Sequence, residues 1–419
     1  VKSAAGADAL RIGALSRLRD VSAGGGGSNG TAWTQSGLLV DEWKSSNTFS
    51  QHNETDERKV QDNNGVVLSV LRDLYRVRTS AREAINGLRE FKPTPPSGIG
   101  QMYFAIAYAE MTMAELFCNG TPLGDASTGV IQYGPPLSNQ VVFQLALAHA
   151  DSAIAIATGT DALAVEVRNA AAVLKGRILL NLNRHSEVAA AVGSVPTTFR
   201  YLGTFSLTSG SNAIWSINTN QKRFTVGDNR DPAGTILNAI NFASAADPRV
   251  PVIGTSTGTS PAGRGFDNST NFIFVTFQDR TVSVPIVSGL DARLFEAEVK
   301  LKADNFTGMT ADLNALRGSP QYLSSTLNSP LMPSLTVPAN KADAIALYFR
   351  EKAFWTFSRG MRLGDMRRQI RQYGLTEATV FPKGTFFKTN QPYGPDVNFP
   401  VMREELTNPD FKSCTDRNA

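Results

Sequence analysis

Histidine, cysteine and long apolar runs are what this 419-residue chain has least of. Its three histidines, His52, His149 and His185, stand far apart, and neither HExxH nor CxxC spacing occurs. A metal site therefore has no obvious ligand set, and no cofactor is expected. No stretch approaches the roughly 18 apolar residues that a membrane-spanning helix needs. Charged residues make up only 19%, and the net charge of +4 is scattered apart from a cluster at Arg367–Arg371. A nucleic-acid binder concentrates its basic residues on one face, so that class is discounted. Gly254-Thr255-Ser256-Thr257-Gly258 matches the GxSxG of hydrolases, but Gly258, Pro261 and Gly263 forbid the helix that must follow. No histidine lies downstream of it either. Glu296 and Glu298 stand two apart on a predicted helix and do not face each other, so ion pairing fits them better than glycoside hydrolysis. No catalytic residue is assigned.

What is present is helical patterning with enough apolar residues, 42%, for a large core. After a first helix (Ala4–Leu18) and the low-complexity loop Ser22–Gly30, Thr31–Arg58 reads as a long irregular segment carrying aromatics. Asp56 opens a long helix that Pro93, Pro95 and Pro96 end. Helices over 100–118, 140–157 and 162–182 follow as pairs. The run Ala171–Val195 has small residues at helix contacts, a short polar turn and another Ala-rich helix, the logic of a tetratricopeptide repeat. Between Pro196 and Pro285 the character changes to short β-like runs, with a hairpin expected about Gln278-Asp279-Arg280. Helices resume over 290–303, 310–317 and from Asn340. The expected fold is mainly α, a tetratricopeptide-like helical-repeat body with an inserted loop and β-hairpin lobe. Residues 1–195, 196–289 and 290–419 form the helical part, the insertion and the completing helices of one domain.

The stretch Asn340–Gly374 carries the most specific pattern. Arg350-Glu351-Lys352-Ala353-Phe354-Trp355, followed by Gly360-Met361-Arg362-Leu363-Gly364-Asp365-Met366-Arg367-Arg368, resembles the C-terminal hallmark of the SusD/RagB family. Arg359 stands where that family has Glu and Met366 where it has Leu, so one family salt bridge is lost or rewired. Asp247-Pro248-Arg249, Leu294–Glu298, Leu313–Arg317 and the closing Phe399–Glu405 extend the resemblance along nearly the whole chain. It implies a surface nutrient-binding lipoprotein at the extracellular face of a bacterial outer membrane. It also implies a SusC-like TonB-dependent transporter as partner, and an oligosaccharide, or alternatively a peptide, as cargo. Relatives carry an N-terminal lipid anchor, which is not present in this chain, so contact with the membrane is expected only through such an anchor. A helical-repeat surface protein acting in protein–protein assembly is the alternative, with a hydrolase third. In an exported protein Cys118 and Cys414 point to a disulfide, inert buried thiols being the other reading.

Two groups of residues stand out as sites. Arg362, Asp365 and Arg368 are spaced three apart and can meet on one helical face, as a buried carboxylate held by two arginines or, more sharply, as an anion site. Trp33, Trp43 and Trp215, with Phe224 and Phe272, lie in segments read as loops and offer flat faces to a sugar or a peptide side chain. Asn47, His52, Arg58 and Arg223 are the candidate hydrogen-bond donors beside them. The competing reading makes these rings anchors of the loops on the helical body.

Overall fold

A computed structural model describes residues 2–24, 30–253, 265–268, 273–274, 279–319 and 332–419. The helices are α1 (Ala4–Ala23), α2 (Ala32–Leu39), α3 (Ser50–Asp56), α4 (Gly65–Phe91), α5 (Ser97–Leu116), α6 (Asn139–Ile156), α7 (Ala162–Asn181) and α8 (His185–Val192). After the lobe come α9 (Gly289–Lys302), α10 (Phe306–Arg317), α11 (Lys341–Trp355), α12 (Arg362–Tyr373) and α13 (Glu377–Val380). Several of their starts are set by side chains that accept from the first free backbone N–H groups. Asn64 caps α4, Ser138 α6 and Asp161 α7, while Ser288 and Asp291 form a reciprocal capping box on α9.

Each of α4 to α8 packs on the next, and α1 lies along α4 and α5, which is helical-repeat stacking. Val67, Val70, Leu71, Leu74 and Val77 of α4 are buried along one stripe. Each such side chain contributes about 1.5–3 kcal/mol by leaving water. Alanines allow close approach: Ala105, Ala109, Ala146, Ala150 and Ala153 of α5 and α6 are fully buried.

The segment Thr31–Arg58 is not an irregular loop. It folds as α2, the short strand Trp43–Ser45 and α3, and every residue of α2 is buried. The strand runs antiparallel to Phe224–Val226 of the inserted lobe, pairing Trp43 with Val226 and Ser45 with Phe224. The expected hairpin about Gln278-Asp279-Arg280 lies partly outside the described residues, which omit Gln278 and most of the run before it. Val284–Ser288 pairs antiparallel with Arg200–Gly203, joining the two ends of the lobe, and Ile273–Phe274 pairs with Val252–Ile253. The Gly254–Gly258 motif lies outside the described residues, as does Phe272.

The corner between α11 and α12 closes the body onto the lobe. Asp365 accepts from Arg368 (2.6 Å) and from Lys352 Nζ (2.8 Å). Arg362 turns away from Asp365 and pairs bidentately with Asp41 at 2.8 and 2.9 Å, because Asp41 reaches the corner from the end of α2. The expected carboxylate between two arginines is therefore one arginine and one lysine. Arg368 also binds Glu298, whose carboxylate further accepts from Tyr348 and Tyr373 at 2.9 and 3.0 Å. Burial alone raises the Glu298 carboxyl, but the charges of Arg368 and Lys352 outweigh it and hold that group well below the usual range. Arg359 makes two 2.7 Å bonds to Asp291, so the position at which the family pattern has Glu carries a rewired pair. Gly360 has φ 65°, and a Cβ there would lie 2.4 Å from Trp33 Cδ1.

A disulfide joins Cys118, at the end of α5, to Cys414 in the tail, spanning 296 residues of sequence.

Truncating Asp365 to Ala leaves Lys352 and Arg368 sharing Glu298, and Asp41→Ala strands Arg362. Breaking a buried pair from one side is worth about 3–5 kcal/mol. Both variants should show a large drop in melting temperature and in chemical-denaturation midpoint. An unchanged midpoint for either would remove the corner from the scaffold.

Candidate functional site

The sequence-nominated residues divide sharply. Trp33 and Trp43 are each 1% exposed and present no face to a ligand. The Trp33 indole donates to Tyr108 Oη at 2.9 Å, and the Trp43 ring packs 5.0 Å from Phe357. Both are core anchors because α2 and the strand after it are buried between the helical body and the lobe. Arg58 is also fully buried and is spent on the tail. It donates to the carbonyls of Asp396 (2.9 Å) and Pro382 (2.7 Å) and to Glu377 (2.6 Å), over the Phe381 ring at 4.7 Å. Phe224 is buried as well. Trp215 is half-buried at the start of a wide helical turn, Trp215–Asn220, and packs against the main core.

Asn47, His52 and Arg223 do come together. Asn47 Oδ1 accepts from Arg223 at 2.6 Å and from the Phe49 amide at 3.4 Å, which leaves Asn47 Nδ2 as donor to His52 Nδ1 at 2.6 Å. His52 Nδ1 is therefore the acceptor, and the ring is held edge-on to Phe224 at 4.9 Å. Two residues not nominated complete the group. The Arg223 guanidinium lies between the rings of Phe49 (4.9 Å) and Phe266 (4.1 Å), which are 41% and 48% exposed. Two exposed rings flanking one guanidinium form an apolar platform with hydrogen-bonding groups at its edge.

The platform is fixed from below. The Phe266 amide donates to Lys222 O (2.7 Å) and the Asp267 amide to Ser46 O (3.2 Å). Lys388 Nζ bridges Asp267 (2.7 Å), Asn47 O (2.7 Å) and Asn53 Oδ1 (3.0 Å), linking the tail, the early segment and the lobe. A signal for the two phenylalanines was present in the sequence. Phe49 stands between Thr48 and Ser50, and Phe266 between Gly265 and Asp267, whereas Trp33 lies within α2; Trp43, between Glu42 and Lys44, has polar neighbours too and is buried by its strand pairing, so this signal separates Trp33 but not Trp43. An aromatic ring isolated among polar residues is more often at the surface than one beside an apolar run.

Beside the α11–α12 corner lies an acid with no salt-bridge partner among the described residues. Glu42 is fully buried, its Oε1 accepts from the Ser358 amide at 3.0 Å, and its Oε2 has no hydrogen-bond partner. Burial, with the neighbouring Asp41 charge adding to it, pushes the carboxyl to about 8. Among the described residues no group of three or more His, Cys, Asp and Glu could hold a metal, and no helix is long and apolar enough to cross a membrane.

No protein-family profile and no curated protein matches the sequence. Among solved structures, a SusD superfamily protein from Parabacteroides distasonis superposes with TM-score 0.68 over 99% of both chains at 13% identity. This chain has the SusD fold. A SusD/RagB family protein from Bacteroides thetaiotaomicron matches over 96% of this chain and 94% of its own, with TM-score 0.66 and 12% identity. A SusD-like carbohydrate-binding protein from Bacteroides vulgatus matches over 98% of both, with TM-score 0.65 and 12% identity. The sequence-derived fold, a mainly helical body of tetratricopeptide-like repeats, agrees with these SusD-fold relatives.

The Glu42 carboxyl has a folded value near 8 against an ordinary 4.5. The folded state therefore holds its proton, and this contribution to stability is full below about pH 4.5 and lost as pH rises through about 8. Replacing it with the neutral isostere, Glu42→Gln, should leave melting unchanged at pH 5 and raise it at pH 9. The shift converts to an order of magnitude of about 5 kcal/mol. Equal melting curves for the two proteins at pH 9 would show that Glu42 is ionised without strain.

Proposed function

We propose that this chain is a non-catalytic binding protein of the SusD type. It captures an oligosaccharide at the outer face of an outer membrane and passes it to a SusC-like TonB-dependent transporter. The observation that carries this reading is the exposed Phe49–Arg223–Phe266 stack where the early segment meets the lobe of a SusD fold. Sugar rings have an apolar C–H face that stacks on such rings and an edge of hydroxyls that meets the polar groups beside them. The fold similarity to a SusD-like carbohydrate-binding protein supports the choice of cargo class. A peptide is the other cargo that a platform of this kind accepts.

Assembly with a protein partner is a second reading, favoured by a separate patch. Val130, Ile131 and Tyr133 are 66%, 65% and 49% exposed on one turn-rich connection between α5 and α6. Adjacent exposed apolar side chains of this kind suit a protein contact. In the first reading this patch is a surface for the transporter.

A glycan array followed by calorimetry on the pure protein tests the binding reading. Phe49→Ala and Phe266→Ala should each weaken the best oligosaccharide by about 1–3 kcal/mol, by analogy with stacking of flat ligands. Their melting temperatures should stay near that of the parent. Trp33→Ala should instead melt early. Binding of peptides alone would change the cargo class, turnover of any hit would make the protein an enzyme, and no binding of either class would favour assembly.

A further inference from the structure

Arg223, at the centre of the platform, differs from the arginines of the corner in what holds it. Arg249, Arg359, Arg362 and Arg368 each donate to a carboxylate inside the protein. Arg223 donates instead to two amide oxygens, from Nε to Gln221 Oε1 at 3.0 Å and from Nη1 to Asn47 Oδ1 at 2.6 Å. Among the described residues it forms no ion pair. An amide oxygen carries no net charge, so these bonds orient the guanidinium and leave its positive charge uncompensated. Asp267, the acid beside Phe266, is paired with Lys388 at 2.7 Å. Arg367 also lacks a carboxylate, but it is fully buried and donates to the carbonyls of Ala114, Glu115 and Phe117, which makes it a strut.

The charge of Arg223 is within reach of a ligand. The residue is half-buried, so its guanidinium is drawn partly out of water without being sealed off. Its remaining nitrogen, Nη2, makes no hydrogen bond among the described residues, yet it is not one of the buried unpartnered atoms and so keeps accessible surface. With the rings of Phe49 and Phe266 at 4.9 and 4.1 Å on either side, an acceptor meets the guanidinium at that Nη2 edge.

A neutral sugar can stack on the rings and offer a hydroxyl to Nη2, but it leaves the charge unmatched in a partly desolvated place. An anionic oxygen matches it, and hydrogen bonds between charged partners are roughly twice as strong as neutral ones. Resting on the reading of the platform as an oligosaccharide site, we propose that its cargo is an acidic oligosaccharide, carrying a carboxylate or a sulfate on or next to the sugar ring that stacks. The anionic group accepts from Arg223 Nη2 while the C–H face of the sugar lies on Phe49 or Phe266. Asn47 and Gln221 are then positioning residues, which hold the guanidinium edge outward without cancelling its charge.

Calorimetry on the full chain compares sugars matched except for charge. The pairs are trigalacturonate with its methyl ester, glucuronoxylotriose with xylotriose, and a κ-carrageenan tetrasaccharide with its desulfated form. In at least one pair the acidic member should bind about tenfold tighter, the usual gain from a charged partner. The pair that responds tells carboxylate from sulfate. Raising salt from about 0.05 to 0.5 M should erase most of that preference and barely change binding of the neutral member. Arg223→Gln should abolish the preference, whereas Arg223→Lys, which keeps the charge, should retain part of it. The salt series needs no variant, so it decides the matter even if Arg223→Gln folds poorly. Equal binding within every pair, a preference for the neutral members, or a preference that survives both high salt and Arg223→Gln would overturn the proposal and leave the oligosaccharide reading standing. Binding of triglutamate alone, or of no sugar here or on a glycan array, would remove the oligosaccharide reading itself.

Discussion

The pairing of buried charge around α12 is the constraint on which the rest of this molecule depends. Arg362 meets Asp41, Arg359 meets Asp291, and Arg368 with Lys352 meets Glu298 with Asp365. Each cation in this set has a carboxylate, so the corner is close to neutral despite its depth. A buried ion pair gains little over a packed apolar pair, but losing one partner is expensive, and this makes the arrangement all-or-none. The partners come from the end of α2, from α9, from α11 and from α12. The corner therefore fixes how the early segment, the lobe and the C-terminal helices sit on the repeat body. Glu42 is the acid left over from this matching, and its elevated carboxyl is the consequence. A neutral Glu42 is the state that leaves the charge balanced.

The chain runs from that corner to the platform in a few residues. Glu42 accepts from Ser358, Trp43 and Ser45 pair with the lobe, and Asn47 holds both His52 and Arg223. Asp56 adds a clamp by accepting from the Ser45 amide at 2.7 Å, its carboxyl pushed up to about 6 by burial. The two exposed rings thus stand on a segment in which nearly every polar group has a fixed partner. A platform built in this way loses little conformational freedom when a ligand stacks on it, which is the advantage of preorganisation.

The fold was readable from the sequence because its carriers are periodic or punctuated. The stripe of α4 and the proline stop at Pro93–Pro96 needed no tertiary information. The α11–α12 corner was readable as a local pattern, but its pairing was not. Three-residue spacing allowed Arg362 to reach Asp365, and only the tertiary approach of Asp41, 321 residues away in sequence, decided otherwise. The early segment failed for a different reason. Ala32–Leu39 is buried all round, including Thr34, Gln35 and Ser36, so it lacks the polar face by which a helix announces itself. Reading it as a loop made its tryptophans look exposed and drew attention away from Phe49 and Phe266. Tryptophan's larger ring was the wrong criterion, since size favours burial as much as binding.

The positions of the arginines show how one residue type serves two purposes in this chain. Arg58, Arg362, Arg367 and Arg368 are buried, and each donates to several fixed acceptors, so their planar forks act as struts. Arg223 lies between two rings and Arg371 is exposed near the end of α12, so part of each side chain faces outward. Struts cannot be recruited by a ligand without breaking the corner. The partly exposed pair can, because a ligand then adds bonds and removes none that the fold needs. Burial therefore separates the arginines that hold the molecule together from those available for recognition, a distinction invisible in the sequence, where Arg367, Arg368 and Arg371 form a single basic cluster.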